Sequence, residues 1–146
     1  MTTKLLGHFG VDSGQVMIGD PCYLSTWEDN DFNDVRIYTN GKDTLQYMKD
    51  FSHYDEVMPK YGKCMNELVE EGWVLDEKHC KPLTEYSYNG ACNTTIHNKN
   101  SGGELLNDIG AKLAVVSSTG YGDGVYPVHA TYNKDGRIVK LTISFD

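Results

Sequence analysis

The segment of this sequence best equipped for chemistry is Thr119-Gly120-Tyr121-Gly122-Asp123-Gly124, where glycines alternate around a carboxylate. A glycine costs up to about 1 kcal/mol in backbone entropy, so its repetition signals positive φ or the close approach of another group. Successive N–H groups in such a loop can cradle an anion, or Asp123 can stand as a metal ligand or general base on a fixed turn. The carboxylate opposes a bare phosphate cradle, and neither the lysine nor the following helix of a phosphate-binding loop is present. The plainer alternative is a tight connection in which Asp123 caps amides of its own loop.

A second segment, Gly19-Asp20-Pro21-Cys22-Tyr23, shares the pattern Gly-Asp-x-x-Tyr with Gly122-Asp123-Gly124-Val125-Tyr126. If both meet at one end of a sheet, Asp12, Asp20 and Asp123 converge with Tyr23, Tyr121 and Tyr126 on a polar pocket with aromatic walls, which Cys22 and Thr119 would join. Its carboxylates would hold a divalent cation, or one would titrate high and act as an acid. Cys22 with His129 across the sheet would make a nucleophile and base, but no orienting residue and no nucleophile elbow accompany them. The histidines are scattered, and His79-Cys80 is the one close imidazole–sulfur pair, two ligands short of a zinc site. The cysteines form no CxxC pair and read as free thiols.

Positioning these residues requires a sheet. Residues 4–9 and 15–18 flank Gly10-Val11-Asp12-Ser13-Gly14 and read as an N-terminal hairpin, whose pairing Pro21 must end. Residues 112–118 form a β-branched run, 125–132 and 137–145 alternate around the turn Asn133-Lys134-Asp135-Gly136, and an antiparallel meander is expected. In the middle, residues 28–34 read as a solvated acidic loop without EF-hand spacing. Leu45, Met48 and Phe51 predict a short helix starting near Asp43 or Thr44. Tyr61, Met65, Leu68 and Val69 predict a longer amphipathic one, with Pro59 in its first turn and Gly72 as its stop. Residues 84–88 and 91–97 predict two strands about an Asn89-Gly90 hairpin turn, residues 98–103 a loop, and 104–106 a strand or one helical turn. The expected fold is α+β in a single domain, 1–146: a mainly antiparallel sheet from the N-terminal hairpin and C-terminal meander, with one or two helices on one face.

The run from Phe9 through Gly14, continuing from Met17 to Tyr23, resembles small proteins of tailed bacteriophages and bacteria that carry a VDSG or VDAG turn followed by GDPCY. The ending Ser117-Ser118-Thr119-Gly120-Tyr121-Gly122-Asp123-Gly124-Val125-Tyr126-Pro127-Val128, with Asp135-Gly136-Arg137 beyond it, is similar to the C-terminal block of the same proteins. The resemblance implies a phage-type origin and supplies no activity and no catalytic residue.

Composition sets the remaining bounds. Lys+Arg number 13 against 21 Asp+Glu, a formal charge of -8 that repels polyanions, so nucleic acid is not expected as a partner. The chain contains no apolar run long enough for a signal peptide or membrane span, which leaves a cytoplasmic location as the expectation. With 10 Tyr and 2 Trp available for contacts and no complete catalytic set, the expected role is a non-enzymatic effector without cofactor. Such a protein would engage a host protein or sequester a small ligand, for example a signalling nucleotide, at the Gly-Asp loop end. The alternatives are a metal-dependent hydrolase using Asp12, Asp20 and Asp123, and a virion-associated structural protein.

Overall fold

The computed structural model describes residues 1–76 and 83–146, so the His79-Cys80 pair lies outside the described residues. The extended segments at both ends of the chain form strands, but they pair differently from a hairpin and a meander. Strands β1 (Thr2–Val11) and β2 (Gln15–Gly19) belong to different sheets. So do β7 (Lys112–Ser118) and β8 (Gly124–Tyr132). One antiparallel sheet runs β1-β8-β9, with β9 at Ile138–Ile143. The other runs β2-β7-β6, with β6 at Gly102–Leu106. Local pairing gives way because β1 and β8 match over nearly their whole length, from Thr2↔Tyr132 to Val11↔Gly124, far more ladder than a short hairpin offers.

A third antiparallel sheet occupies the middle of the chain in the order β4-β3-β5, from Thr44–Gln46, Ile37–Thr39 and Val74–Leu75. The helix expected from Asp43 or Thr44 is thus replaced by β4 and a turn. Met48 takes φ 68, which no right-handed helix allows, and it lies 69% exposed while Leu45 and Phe51 are buried. The next helix, α1 (Met65–Glu70), is shorter than its apolar spacing predicts. Gly62 at φ 65 turns the chain first, and Glu67 then reaches back to accept from the Cys64 N–H at 3.3 Å. Met65 and Leu68 join Leu45, Phe51, Met58 and Trp73 in one core cluster. Each such side chain contributes roughly 1.5–3 kcal/mol by leaving water.

The hairpin expected at Asn89-Gly90 is a helix, α2 (Tyr88–His97). Ser87 caps it: its Oγ accepts from the Gly90 N–H at 2.8 Å. Residues 90–94 are all buried, because β6 and β7 lie on one side of the helix and residues 28–34 on another. Its floor is the second core cluster, made of Tyr86, Ala91, Leu105, Leu113, Ala114 and Val116. The architecture is α+β and mainly antiparallel, as expected. No helix among the described residues is long and apolar enough to cross a membrane.

Candidate functional site

The two connections between the terminal sheets lie side by side, because β1 pairs with β8 and β2 with β7. Val11 stands opposite Gly124 and Gln15 opposite Ser118, which brings the turn at residues 12–14 against the loop at 119–123. Gly14 (φ 68), Gly120 (φ 76) and Gly122 (φ 87) take left-handed conformations, so these turns require glycine. The Gly14 N–H donates to Asp123 Oδ1 at 2.9 Å, and the Thr119 N–H donates to the Gly14 carbonyl at 3.1 Å. Asp123 therefore caps an amide of the other connection rather than of its own loop. Thr119 Oγ1 lies 2.6 Å from the Gly122 carbonyl and 3.2 Å from that of Gly14, and the Tyr126 hydroxyl donates to Gly122 at 2.7 Å.

Removing this clasp has a graded cost. Thr119 is 0% exposed, so Thr119→Val keeps the shape but removes a buried hydroxyl donor while the Gly14 carbonyl keeps the residue 119 N–H and the Gly122 carbonyl keeps the Tyr126 hydroxyl, and it should lower stability by about 1.5 kcal/mol. Asp123→Ala acts at an exposed bond and should cost about 1 kcal/mol, with Asp123→Asn recovering most of it. Urea midpoints of the three variants check the order.

Thr119, Asp123 and Tyr126 thus come together at the clasp, with Asp12 in the adjoining turn; Tyr121 is 79% exposed. Asp20, Cys22 and Tyr23 lie beyond the other end of β2, whose five residues span about 16 Å. There Asp20 Oδ1 accepts from the Cys22 N–H at 2.9 Å, holding the short 3-10 helix Pro21–Thr26 at its start. Cys22 lies on that helix and His129 on β8, in the other sheet. Among the described residues, no group of three or more His, Cys, Asp or Glu stands close enough to hold a metal ion. Tyr23 instead lines a cavity of about 360 Å³ that Glu28, Glu85 and Asp108 also border.

Beside the clasp is another cavity, of about 260 Å³, between the paired connections and α2. Ser13, Gly14 and Gln15 form one wall with Ser118, while Tyr88, Cys92, Thr95 and Ile96 line it from α2 and Phe32 from the loop at 28–34. Among the described residues, no charged side chain lines it. Gln15 bridges the walls, its Nε2 3.2 Å from Cys92 Sγ and its Oε1 3.1 Å from Thr95 Oγ1. Hydrogen bonding to the Cys92 thiol holds the Tyr88 phenol above its ordinary pKa, so it remains protonated at neutral pH.

Sequence reasoning missed Phe32, Gln15, Tyr88, Cys92 and Thr95. The acidic loop is docked rather than merely solvated: the Asn33 N–H donates to Asn89 Oδ1 and the Asn89 N–H to Asn30 Oδ1, both at 2.8 Å. Asp34 pairs with Arg36 through both carboxylate oxygens, and the guanidinium lies 4.1 Å from the Tyr47 ring centroid. His97, at the far end of α2, has both ring nitrogens buried without a hydrogen-bond partner among the described residues. Burial holds its pKa below 6.5, against the opposing pull of Asp34. The unfolded chain therefore binds a proton that the native state resists. Stability from this residue is complete above about pH 6.5 and declines as pH falls from there toward the lower native pKa. His97→Leu should flatten the fall in urea midpoint between pH 7 and 5; an unchanged slope would count against it.

Compared with known proteins, the chain matches the family described as "Protein of unknown function (DUF4241)" over residues 5–143. No curated protein and no solved structure matches the chain.

Proposed function

The chain belongs to the DUF4241 family, and from that premise we propose that it is a non-catalytic binding protein that holds a small molecule beside its Gly-Asp connections. The observation that carries this reading is the cavity of about 260 Å³ where the clasped turns face α2. Its walls are fastened by bonds between residues 105 and 109 positions apart, so the space is formed before a ligand arrives. A lining of two aromatic rings, a thiol, an amide and hydroxyls offers contact area and oriented hydrogen bonds, the usual composition of a ligand pocket. Of the two forms of a binding role, a protein partner or a small molecule, this partly enclosed space favours the small molecule.

The hydrolase alternative gathers Asp12, Asp20 and Asp123 around one ion, whereas Asp20 and Asp123 lie toward opposite ends of β2. The two glycine-rich blocks and the acidic charge support a phage-type effector acting in the cytoplasm, where a sequestered metabolite would be met. Mass analysis of small molecules released on denaturing the purified protein tests the reading. A stoichiometric compound should appear, and Ile96→Trp, which fills the cavity from α2, should abolish it. A compound retained at the same stoichiometry in Ile96→Trp would place binding elsewhere.

A further inference from the structure

We propose that the ligand of the cavity beside the clasp is an uncharged heteroaromatic ring, a nucleobase or its nucleoside, and not a phosphorylated nucleotide. This rests on the reading that the cavity holds a small molecule and adds its chemical class.

Size is the first constraint. At about 260 Å³ the cavity falls just below the roughly 300–1,000 Å³ typical of pockets for drug-sized ligands, so its occupant is small. Charge is the second. Among the described residues neither lysine nor arginine lines the space, and the carboxylate at its edge, Asp123 on the Gly14 N–H, repels an anion. A phosphate there would lose its hydration with no cation among the described lining residues to replace it.

Shape and hydrogen bonding supply the rest. Phe32 and Tyr88 enter the cavity from separate elements, giving a flat ring two aromatic contacts that aliphatic ligands exploit less well. Gln15 supplies the reading head. A primary amide has two N–H donors and two acceptor lone pairs. The contacts to Cys92 and Thr95 use one of each, whichever end of the amide is oxygen. One donor and one acceptor remain on a side chain already fixed at both ends. That pairing is complementary to a ring edge carrying both an acceptor nitrogen and an amino group, as glutamine reads adenine. The thiol, hydroxyls and neutral phenol around it complete a lining that recognises polarity without charge.

The test titrates the full chain by calorimetry with the free base, nucleoside and nucleoside 5′-monophosphate of each common nucleobase. At least one base or nucleoside should bind at a one-to-one ratio, and its monophosphate at least about tenfold more weakly. Phe32→Leu keeps an apolar wall but removes the ring, and should weaken binding about tenfold or more. Gln15→Leu should do likewise, and urea titration of both variants shows whether the fold is intact. A monophosphate that binds as tightly as its nucleoside overturns the proposal, as does base binding indifferent to Phe32→Leu in a folded protein. If none of these probes binds but the native protein releases a charged or non-aromatic compound absent from Ile96→Trp, the ligand class falls while the binding role stands. If no compound is released and no probe binds, both fall.

Discussion

Gly90→Ala should lower the stability of the protein by about 3 kcal/mol or more, the upper end of what overpacking costs. Elsewhere in a helix the same change would stabilise by about 1 kcal/mol, since alanine is the better helix former. Here the sign reverses because of what the new methyl would meet. A Cβ at position 90 would overlap the carbonyl oxygen of Glu85 and stand 2.9 Å from its carbonyl carbon. That oxygen belongs to backbone and has little room to retreat. It accepts from the Ser87 N–H at 2.9 Å, while the neighbouring Thr84 carbonyl accepts from the Leu106 N–H at 2.7 Å. Relief would lift the first turn of α2 off residues 84–87, breaking the bond from the Gly90 N–H to Ser87 Oγ. Because Tyr88 and Cys92 ride on that helix, the ligand cavity would be disturbed too. Gly10→Ala is the control: its Cβ has no neighbour within 4 Å, so its effect should stay within about 0.5 kcal/mol. Urea unfolding of both variants checks the contrast. A Gly90→Ala protein within 1 kcal/mol of wild type would mean that α2 does not approach residue 85 as described.

The same glycine shows why part of the fold was legible in the sequence and part was not. Along β8 the pattern is read from local alternation, with Tyr126 and Ala130 buried on one face and Val125 and His129 on the other, so the strand was visible. Helix α2 carries no such signal. Residues 90–94 are buried on every side, and a helix enclosed all round has no polar face to set a period. Asn89-Gly90 then imitates a hairpin turn, and the overlooked evidence for a helix was Ser87 standing as a cap three residues before Gly90. Pairing partners were hidden for another reason. Nothing local tells β1 to prefer β8 over β2; that choice follows from the length of matched ladder.

The candidate site divides along the same line. Asp123 and its glycines were conspicuous because their composition is unusual within six residues. Their partner, the Gly14 amide, is 109 positions away and is a backbone group with no signature in residue type. Phe32 was masked by its acidic neighbours. The docking of its loop depends on asparagine side chains at positions 30 and 89, which resemble ordinary loop asparagines until α2 is known to be a helix.

Leu105→Ala should cost about 2–5 kcal/mol, the range for truncating a large buried aliphatic side chain. Leu105 is 0% exposed, on β6, in the cluster with Ala91 of α2 and with Leu113, Ala114 and Val116 of β7. Removing it forfeits the transfer free energy of the lost atoms and leaves a void that its neighbours close poorly, since they are held by ladder bonds on β7 and by α2 above. Leu141→Ala gives the comparison. Leu141 lies on β9 and is 56% exposed, so the same truncation there should cost about 0.5 kcal/mol or less. The two variants remove identical atoms, and any difference between them measures burial alone. The consequences for binding should diverge as well. The residues around Leu105 are the floor on which α2 rests, and α2 supplies Tyr88, Cys92, Thr95 and Ile96 to the cavity wall. Leu105→Ala should therefore weaken ligand retention at temperatures where the protein is still folded, whereas Leu141→Ala should leave retention unchanged. Equal losses in the two variants, by urea midpoint and by the amount of compound released, would show that the cavity does not depend on the packing of α2 against the β2-β7-β6 sheet.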